Sequence, residues 1–232
     1  MSPDAPLADL YEAKAAAYAR FGNGVVAAHA QRLLPEGGRV LDLGCASGGL
    51  LALLRPRAGH LAGLELSAAG AAAAAEVGDE VVQGALEDPD LPFAARSYDL
   101  VVLADVLEHV ADPGAALARA VGWCAPGGHV VVSVPNIAHF KARLTILRGR
   151  FPWEPSGTFD SGHLRFFTHE TLAALLGEAG LLDVELDQVV PALRNHLPGR
   201  VAARLEPAWQ ALGRRRPGLL GYQIIGLGRT AR

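Results

Sequence analysis

Between residues 39 and 228, short runs rich in Val, Leu and Ile alternate with alanine- or leucine-rich stretches of helical character. A strand, a helix and a second strand in succession pack best as a parallel pair with the helix laid across the sheet. Repeating that unit dictates an α/β fold with helices on both faces. The spacing predicts strands near 39–43, 60–65, 80–83, 98–104, 128–134, 182–189 and 221–228, and helices near 47–55, 67–76, 112–124 and 169–179. Thr168 is the expected N-cap of the last helix and Gly180 its terminator. LSAAGAAAAA is low in complexity, yet alanine is the best helix former, so it is read as a close-packed helix.

Three regions fall outside the alternation. Residues 7–34 carry apolar side chains at roughly helical spacing and read as two amphipathic helices broken near Gly22-Asn23-Gly24, an N-terminal helical cap over 1–36. Residues 137–167, polar and punctuated by glycine and proline, read as an inserted acceptor-side lid. Residues 191–219, with Pro191, Pro198, Pro207 and Pro217, read as irregular, and Arg214-Arg215-Arg216 as a solvated loop face.

With 232 residues, half of them hydrophobic, the chain can bury one substantial core, so a single domain over 1–232 is expected. A formal charge of -3 creates no field favouring polyanions, so nucleic acid is not an expected partner. Cys45 and Cys124 lie far apart without metal-ligand spacing. They suggest neither a zinc site nor a disulfide, no metal ligands are assigned, and a reducing cytoplasm is the expected compartment. The N-terminus MSPDAPLADL lacks a signal-peptide pattern, and no apolar run approaches the roughly 18 residues of a membrane span. The N-terminal helices and the Trp209 region could serve as lids or as contacts of a homodimer.

The first predicted strand runs into VLDLGCASGGL, residues 40–50. Gly44 and Gly48 bracket Cys45, Ala46 and Ser47, letting backbone pass close to a ligand, and the following helix aims free N–H groups at it. A dinucleotide enzyme would carry GxGxxG here to hold a pyrophosphate. Asp42, two residues before the turn, would repel pyrophosphate but suits a ligand bearing an ammonium and a sulfonium. Glu65 ends the second strand 23 positions after Asp42, where a carboxylate can accept hydrogen bonds from both ribose hydroxyls.

Together, VLDLGCASG, LELS, SYDLVVLADVLEHV and APGGHVVVSVPN resemble, in order, the glycine motif, acidic second strand, fourth strand and fifth strand of the class I S-adenosylmethionine-dependent methyltransferases. The resemblance covers about residues 38–185 and implies a Rossmann-like, doubly wound, seven-stranded sheet of order 3-2-1-4-5-7-6 with strand seven antiparallel. It implies S-adenosyl-L-methionine as cofactor, S-adenosyl-L-homocysteine as product, and contacts at Asp42, Gly44, Cys45, Ala46, Ser47, Gly48, Glu65, Leu66, Gly84, Ala85, Leu86 and Asp105. Two positions depart from the pattern: Ala46 stands where glycine is usual, and Ala85 where many relatives carry an aspartate for the adenine amino group.

Methyl transfer from a sulfonium is an in-line displacement that demands alignment, exclusion of water and, for hydroxyl acceptors, loss of a proton. Histidine is the natural base. His109 follows the fourth strand in VLEHV beside Asp105 and Glu108; His139 follows the fifth in PNIAHF. FDSGHLRFF, residues 159–167, places Asp160, His163 and Arg165 on the expected lid, with Asp160 spaced to orient the His163 imidazole; an Asp160–Arg165 ion pair pinning the loop is the competing reading. VPN, an insertion and HLRFFT resemble small bacterial methyltransferases of quinones, sugars or secondary metabolites. His163, His109 and Asp160 are thus the catalytic candidates, with Tyr11, Tyr18, His139 and Arg165 as ligands for a small-molecule acceptor. The expectation is O-methylation. The competing readings are an N-methyltransferase in which Asp160 and Glu108 hold an amine, a non-catalytic module that binds the cofactor, and an NAD-dependent oxidoreductase disfavoured by Asp42.

Overall fold

The computed structural model describes residues 23–195 and 198–232. Helix α1 (Asn23–Leu33) leads into β1 (Gly38–Leu43), α2 (Gly49–Leu54), β2 (Ala58–Glu65), α3 (Ala68–Ala74), β3 (Glu80–Gln83) and β4 (Tyr98–Ala104). The chain continues through α4 (Pro113–Trp123), β5 (Cys124–Pro135), α5 (Phe140–Leu147), α6 (His169–Glu178), β6 (Leu182–Val189), α7 (Gly199–Arg215), α8 (Pro217–Leu220) and β7 (Gln223–Arg229). One seven-stranded sheet has the order β3-β2-β1-β4-β5-β7-β6. The pairs from β3 to β5 are parallel, and β7 runs antiparallel to both β5 and β6. The expected topology is therefore present.

Central strands β1, β4 and β5 are buried on both faces, which explains their unbroken apolar runs. One face packs Leu41, Leu43, Leu103, Val130 and Val132 against Leu117, Leu172 and Leu176 from α4 and α6. The other packs Val40, Leu100, Val102 and Val131 against Val26, Ala30, Leu34, Leu51 and Leu54. Residues 23–34 of the expected N-terminal cap consequently lie in the core, because Val26, Ala27, Ala30 and Leu34 form one apolar helix face. The helix expected before Gly22, with Tyr11 and Tyr18, lies outside the described residues.

Local signals account for the helix starts. Ser67 caps α3 by accepting from Gly70 N–H at 2.9 Å. Asp112 caps α4 with Pro113 in the first turn. Thr168 and Thr171 bond reciprocally at the start of α6, and Gly180 follows that helix at φ +79°.

Helices also form outside the expected strand–helix alternation, and α7 and the start of α8 lie where irregular chain was expected. α5 occupies residues 140–147 of the inserted segment. α7 spans 17 residues despite Pro207 in its interior. The prolines between 191 and 217 misled the reading because Pro198 and Pro217 flank α7 rather than interrupt it. Arg214 and Arg215 belong to the last turn of α7, not to a loop, where cations complement the carbonyl end of the helix. Trp209 Nε1 donates to the Pro191 carbonyl at 2.8 Å, tying α7 to the chain that follows β6. No described helix is long and apolar enough to cross a membrane.

Candidate active site

The turn after β1 is built as the glycine pattern demands. Gly44 and Gly48 have φ of +79° and +80°, and a Cβ on Gly44 would lie 2.6 Å from Val106 Cγ2. Gly48 faces α3, where an added Cβ would meet Ala74 Cα at 3.1 Å. The alanine-rich sequence of α3 therefore has a purpose: small residues let the turn settle against the helix. Ala46 also has positive φ, +47°. This is the physical reason glycine is usual there, and a left-handed alanine costs about 1 kcal/mol. Ala46→Gly is accordingly expected to stabilise the protein by roughly 1 kcal/mol, a melting shift of about 2–4 °C in a chain of this size. A thermal melt checks it, and an unchanged or lowered midpoint contradicts the strain.

The Glu65 carboxylate fastens this turn to β2. Oε2 accepts from Ala46 N–H at 2.9 Å and Oε1 from Ser67 N–H at 2.8 Å. The backbone also contributes, since Gly44 and Cys45 N–H both donate to the Leu64 carbonyl. Cys45 is a packing residue whose Sγ fills the space left by Gly63, and burial raises its thiol pKa. Neighbouring Ser47 and Leu66 are half-buried at the same edge.

Asp42 lies at the end of β1, 2% exposed, and among the described residues its Oδ1 has no hydrogen-bond partner. Burial first, and the nearby Glu65 charge second, push its pKa up to about 7. A buried carboxylate with an unpartnered oxygen beside a glycine turn is a fitting counter-charge for a cationic ligand. After β3, Gly84, Ala85 and Leu86 form the next turn, fixed by Asp88, whose Oδ2 accepts from Ala85 N–H at 2.8 Å. Sequence reasoning missed Asp88, although an aspartate three residues beyond a turn residue was the available signal.

Asp105, immediately after β4, has φ +56°, strained for a residue with a Cβ. Its carboxylate is clamped by Gln223 Nε2, 2.6 Å from Oδ1 and 2.9 Å from Oδ2, and by Ser133 Oγ at 3.1 Å. Burial raises its pKa while these donors oppose the shift. Gln223 and Ser133, on β7 and β5, were not legible in advance because they come from strands far apart in sequence.

The segment expected to form a lid is hooked to the loop after β4. The Glu108 carbonyl accepts from Leu164 N–H at 2.7 Å and Arg165 N–H at 3.1 Å. The Arg165 guanidinium donates to the Ala111 carbonyl, so it pins the lid to this loop. These bonds carry His163 onto His109, with ring centroids 4.7 Å apart at 67°. His109 Nδ1 lies 3.0 Å from the Gly162 carbonyl and His163 Nδ1 3.3 Å from that of Thr158. Glu108, 1% exposed, joins them, with one ligand-type atom of each residue within 4.8 Å of the others. Burial, then the Asp105 charge, hold the Glu108 carboxyl well above the usual range. Asp160, fully buried, accepts Gly162 N–H at 2.7 Å, and its carbonyl accepts His163 N–H at 3.0 Å. His139 sits apart from this group, buried at the start of α5 against Phe140. Asn136 is structural: its Nδ2 donates to the Gly221 carbonyl at 2.7 Å, joining the end of β5 to the start of β7.

A methyltransferase-domain family model matches residues 18–186. The chain is 32% identical to a ubiquinone biosynthesis O-methyltransferase of Aromatoleum aromaticum over 158 residues, 65% of this chain and 66% of the relative. An Aeromonas salmonicida protein of the same name is 32% identical over 154 residues, 63% of each chain. The chain thus spans less than two thirds of the length of these curated relatives. Among solved structures, a Thermotoga maritima protein described as a possible histamine N-methyltransferase aligns with TM-score 0.68 and 22% identity, covering 96% of this chain and 99% of the other. A Haloferax volcanii putative methyltransferase, solved with the Trm112 activator, aligns with TM-score 0.67 and 22% identity over 98% of each. Matched over most of its length and built on the expected sheet, this chain belongs to the methyltransferase-domain family, the class I S-adenosylmethionine-dependent methyltransferases.

Proposed function

We propose that the protein transfers the methyl group of S-adenosylmethionine to a hydroxyl of a small-molecule acceptor, with His163 as the base or the ligand of that hydroxyl. The observation carrying this reading is the edge-to-face contact of His163 with His109, with Glu108 buried beside both, at the carboxyl edge of the sheet. The names of the curated relatives support a hydroxyl acceptor. Asp42 would face the cationic methionine end of the cofactor, and Glu65 its ribose. The Gly44–Gly48 turn would lie along it, and the Gly84–Leu86 turn would border the adenine. The cofactor supplies an activated methyl group; the protein aligns the acceptor and excludes water. Asp160 and the Gly162 and Thr158 carbonyls orient the two imidazoles.

A methyl-release assay across phenols, sugars and amines tests the reading. Turnover of hydroxyl acceptors is expected, while turnover confined to amines would establish N-methylation. Cofactor binding without transfer across the panel would leave a binding module.

Asp42 gives a second expected result. Its folded pKa is raised to about 7, so it holds a proton at acidic pH, and the cofactor-free protein loses stability as pH rises from the unfolded value toward 7. A cationic cofactor favours the ionised form, so its affinity should rise by about tenfold between pH 6 and 8. Isothermal titration at both pH values checks this, with Asp42→Asn removing that slope. Equal slopes in the two proteins would remove Asp42 from cofactor binding.

A further inference from the structure

We propose that Glu108, His109 and His163 form a binding site for a divalent ion of the zinc type, completed by the lid. The role given to the ion rests on the hydroxyl-methylation reading and replaces His163 as the base, since an imidazole whose Nε2 is on the ion acts through the ion, whereas binding of the ion does not rest on that reading.

Three observations converge. First, both imidazoles place Nδ1 against a backbone carbonyl, Gly162 for His109 and Thr158 for His163. A carbonyl only accepts, so Nδ1 carries a proton in each ring, and in the neutral imidazole the lone pair then resides on Nε2. A metal-binding histidine is prepared in this way, its other nitrogen fixed by a carbonyl or carboxylate. Second, Glu108 is 1% exposed, and neither of its carboxylate oxygens has a hydrogen-bond partner among the described residues. A carboxylate so deeply buried is costly unless a cation or a proton answers it. Third, one donor atom from each of the three residues lies within 4.8 Å of the others. Donors around a tetrahedral ion sit roughly 3.4 Å apart when each bond is about 2.1 Å, so small side-chain rotations complete the site.

The donor set chooses the ion. Two imidazoles and one carboxylate, without thiolate, suit zinc, cobalt, manganese or ferrous iron, whereas magnesium and calcium prefer all-oxygen shells. Three protein ligands leave a coordination position for an exogenous oxygen, as catalytic zinc sites do. His109 and Glu108 come from the loop after β4 and His163 from the lid, so the ion would join the two segments. An acceptor hydroxyl at the fourth position would lose its proton to water more readily on coordination. Its oxygen lone pair then forms the O–CH₃ bond as the methyl–sulfur bond breaks. That electron pair stays on sulfur, converting sulfonium to thioether.

The test uses tag-free, full-length protein stripped with a chelator and titrated with Co²⁺, followed by visible absorption and calorimetry, then displaced by Zn²⁺. One equivalent with the absorption of a four- or five-coordinate ion is expected. His163→Ala and Glu108→Gln should each weaken binding by about a hundredfold or more while circular dichroism stays unchanged. Wild-type binding no tighter than that of the Glu108→Gln/His163→Ala double variant overturns the site. Full methyl transfer by the stripped protein overturns the ion's role and leaves the methyltransferase reading intact. Stoichiometric binding without transfer to any hydroxyl acceptor supports the site and overturns that reading instead.

Discussion

His163→Ala is expected to lower methyl transfer by about 10²–10⁴-fold, the usual contribution of a positioned acid–base group, while leaving the cofactor dissociation constant within about twofold. The separation follows from position. His163 reaches the site from the lid through His109, whereas the glycine turn and Glu65 are assembled on β1 and β2. Steady-state kinetics with calorimetric cofactor binding distinguishes the two parameters. Turnover retained at wild-type level would remove His163 from the chemistry, and a parallel loss of cofactor affinity would assign it to the other half of the site. Trimming one ring leaves the segment attached, because its backbone amides reach the Glu108 carbonyl without any side chain.

Glu65→Ala is expected to do the reverse. Two backbone amides, of Ala46 and Ser67, lose a charged acceptor at 2.9 and 2.8 Å in a buried setting. Hydrogen bonds to charged groups contribute roughly 1.5–3 kcal/mol each, so a stability loss of about 3 kcal/mol is expected. Cofactor affinity should fall by at least about a hundredfold, since the turn loses its fastening along with the carboxylate proposed to meet the ribose. Glu65→Gln retains one carbonyl acceptor and should cost about half as much stability. Denaturant unfolding and cofactor titration measure both quantities; an unchanged cofactor affinity in Glu65→Ala would assign the residue to the fold alone.

Sequence made the sheet and the turn after β1 legible because both are governed by local patterns. Strands buried on both faces leave apolar runs, a left-handed turn leaves glycines at 44 and 48, and a capped helix leaves Thr168 and Gly180. The positive φ of Ala46 shows where the local pattern was broken and at what cost. The acceptor side was legible only as a set of residue types. Nothing in the spacing of His109 and His163 states that their rings meet at 4.7 Å, because a lid folding back on the sheet determines it. The Asp105 clamp depends on strand order in the same way, Gln223 being 118 residues distant. α7 was hidden by reading each proline as a breaker, although Val201, Leu205 and Leu212 repeat at helical spacing.

The paired amides of Leu164 and Arg165 on the Glu108 carbonyl have a consequence for anyone reshaping acceptor choice. They divide the lid into an anchor and an overhang. Residues 160–167 hold the histidine and are tied to the loop after β4 by backbone bonds, whereas 148–158 carry the exposed Phe151 and Trp153 and join the anchor through the Glu154 carbonyl, which accepts Ser161 N–H, and the Thr158 carbonyl beside His163 Nδ1. Exchanging 148–153 alone would leave these contacts in place, whereas an exchange that reaches Glu154 or Thr158 would move His163.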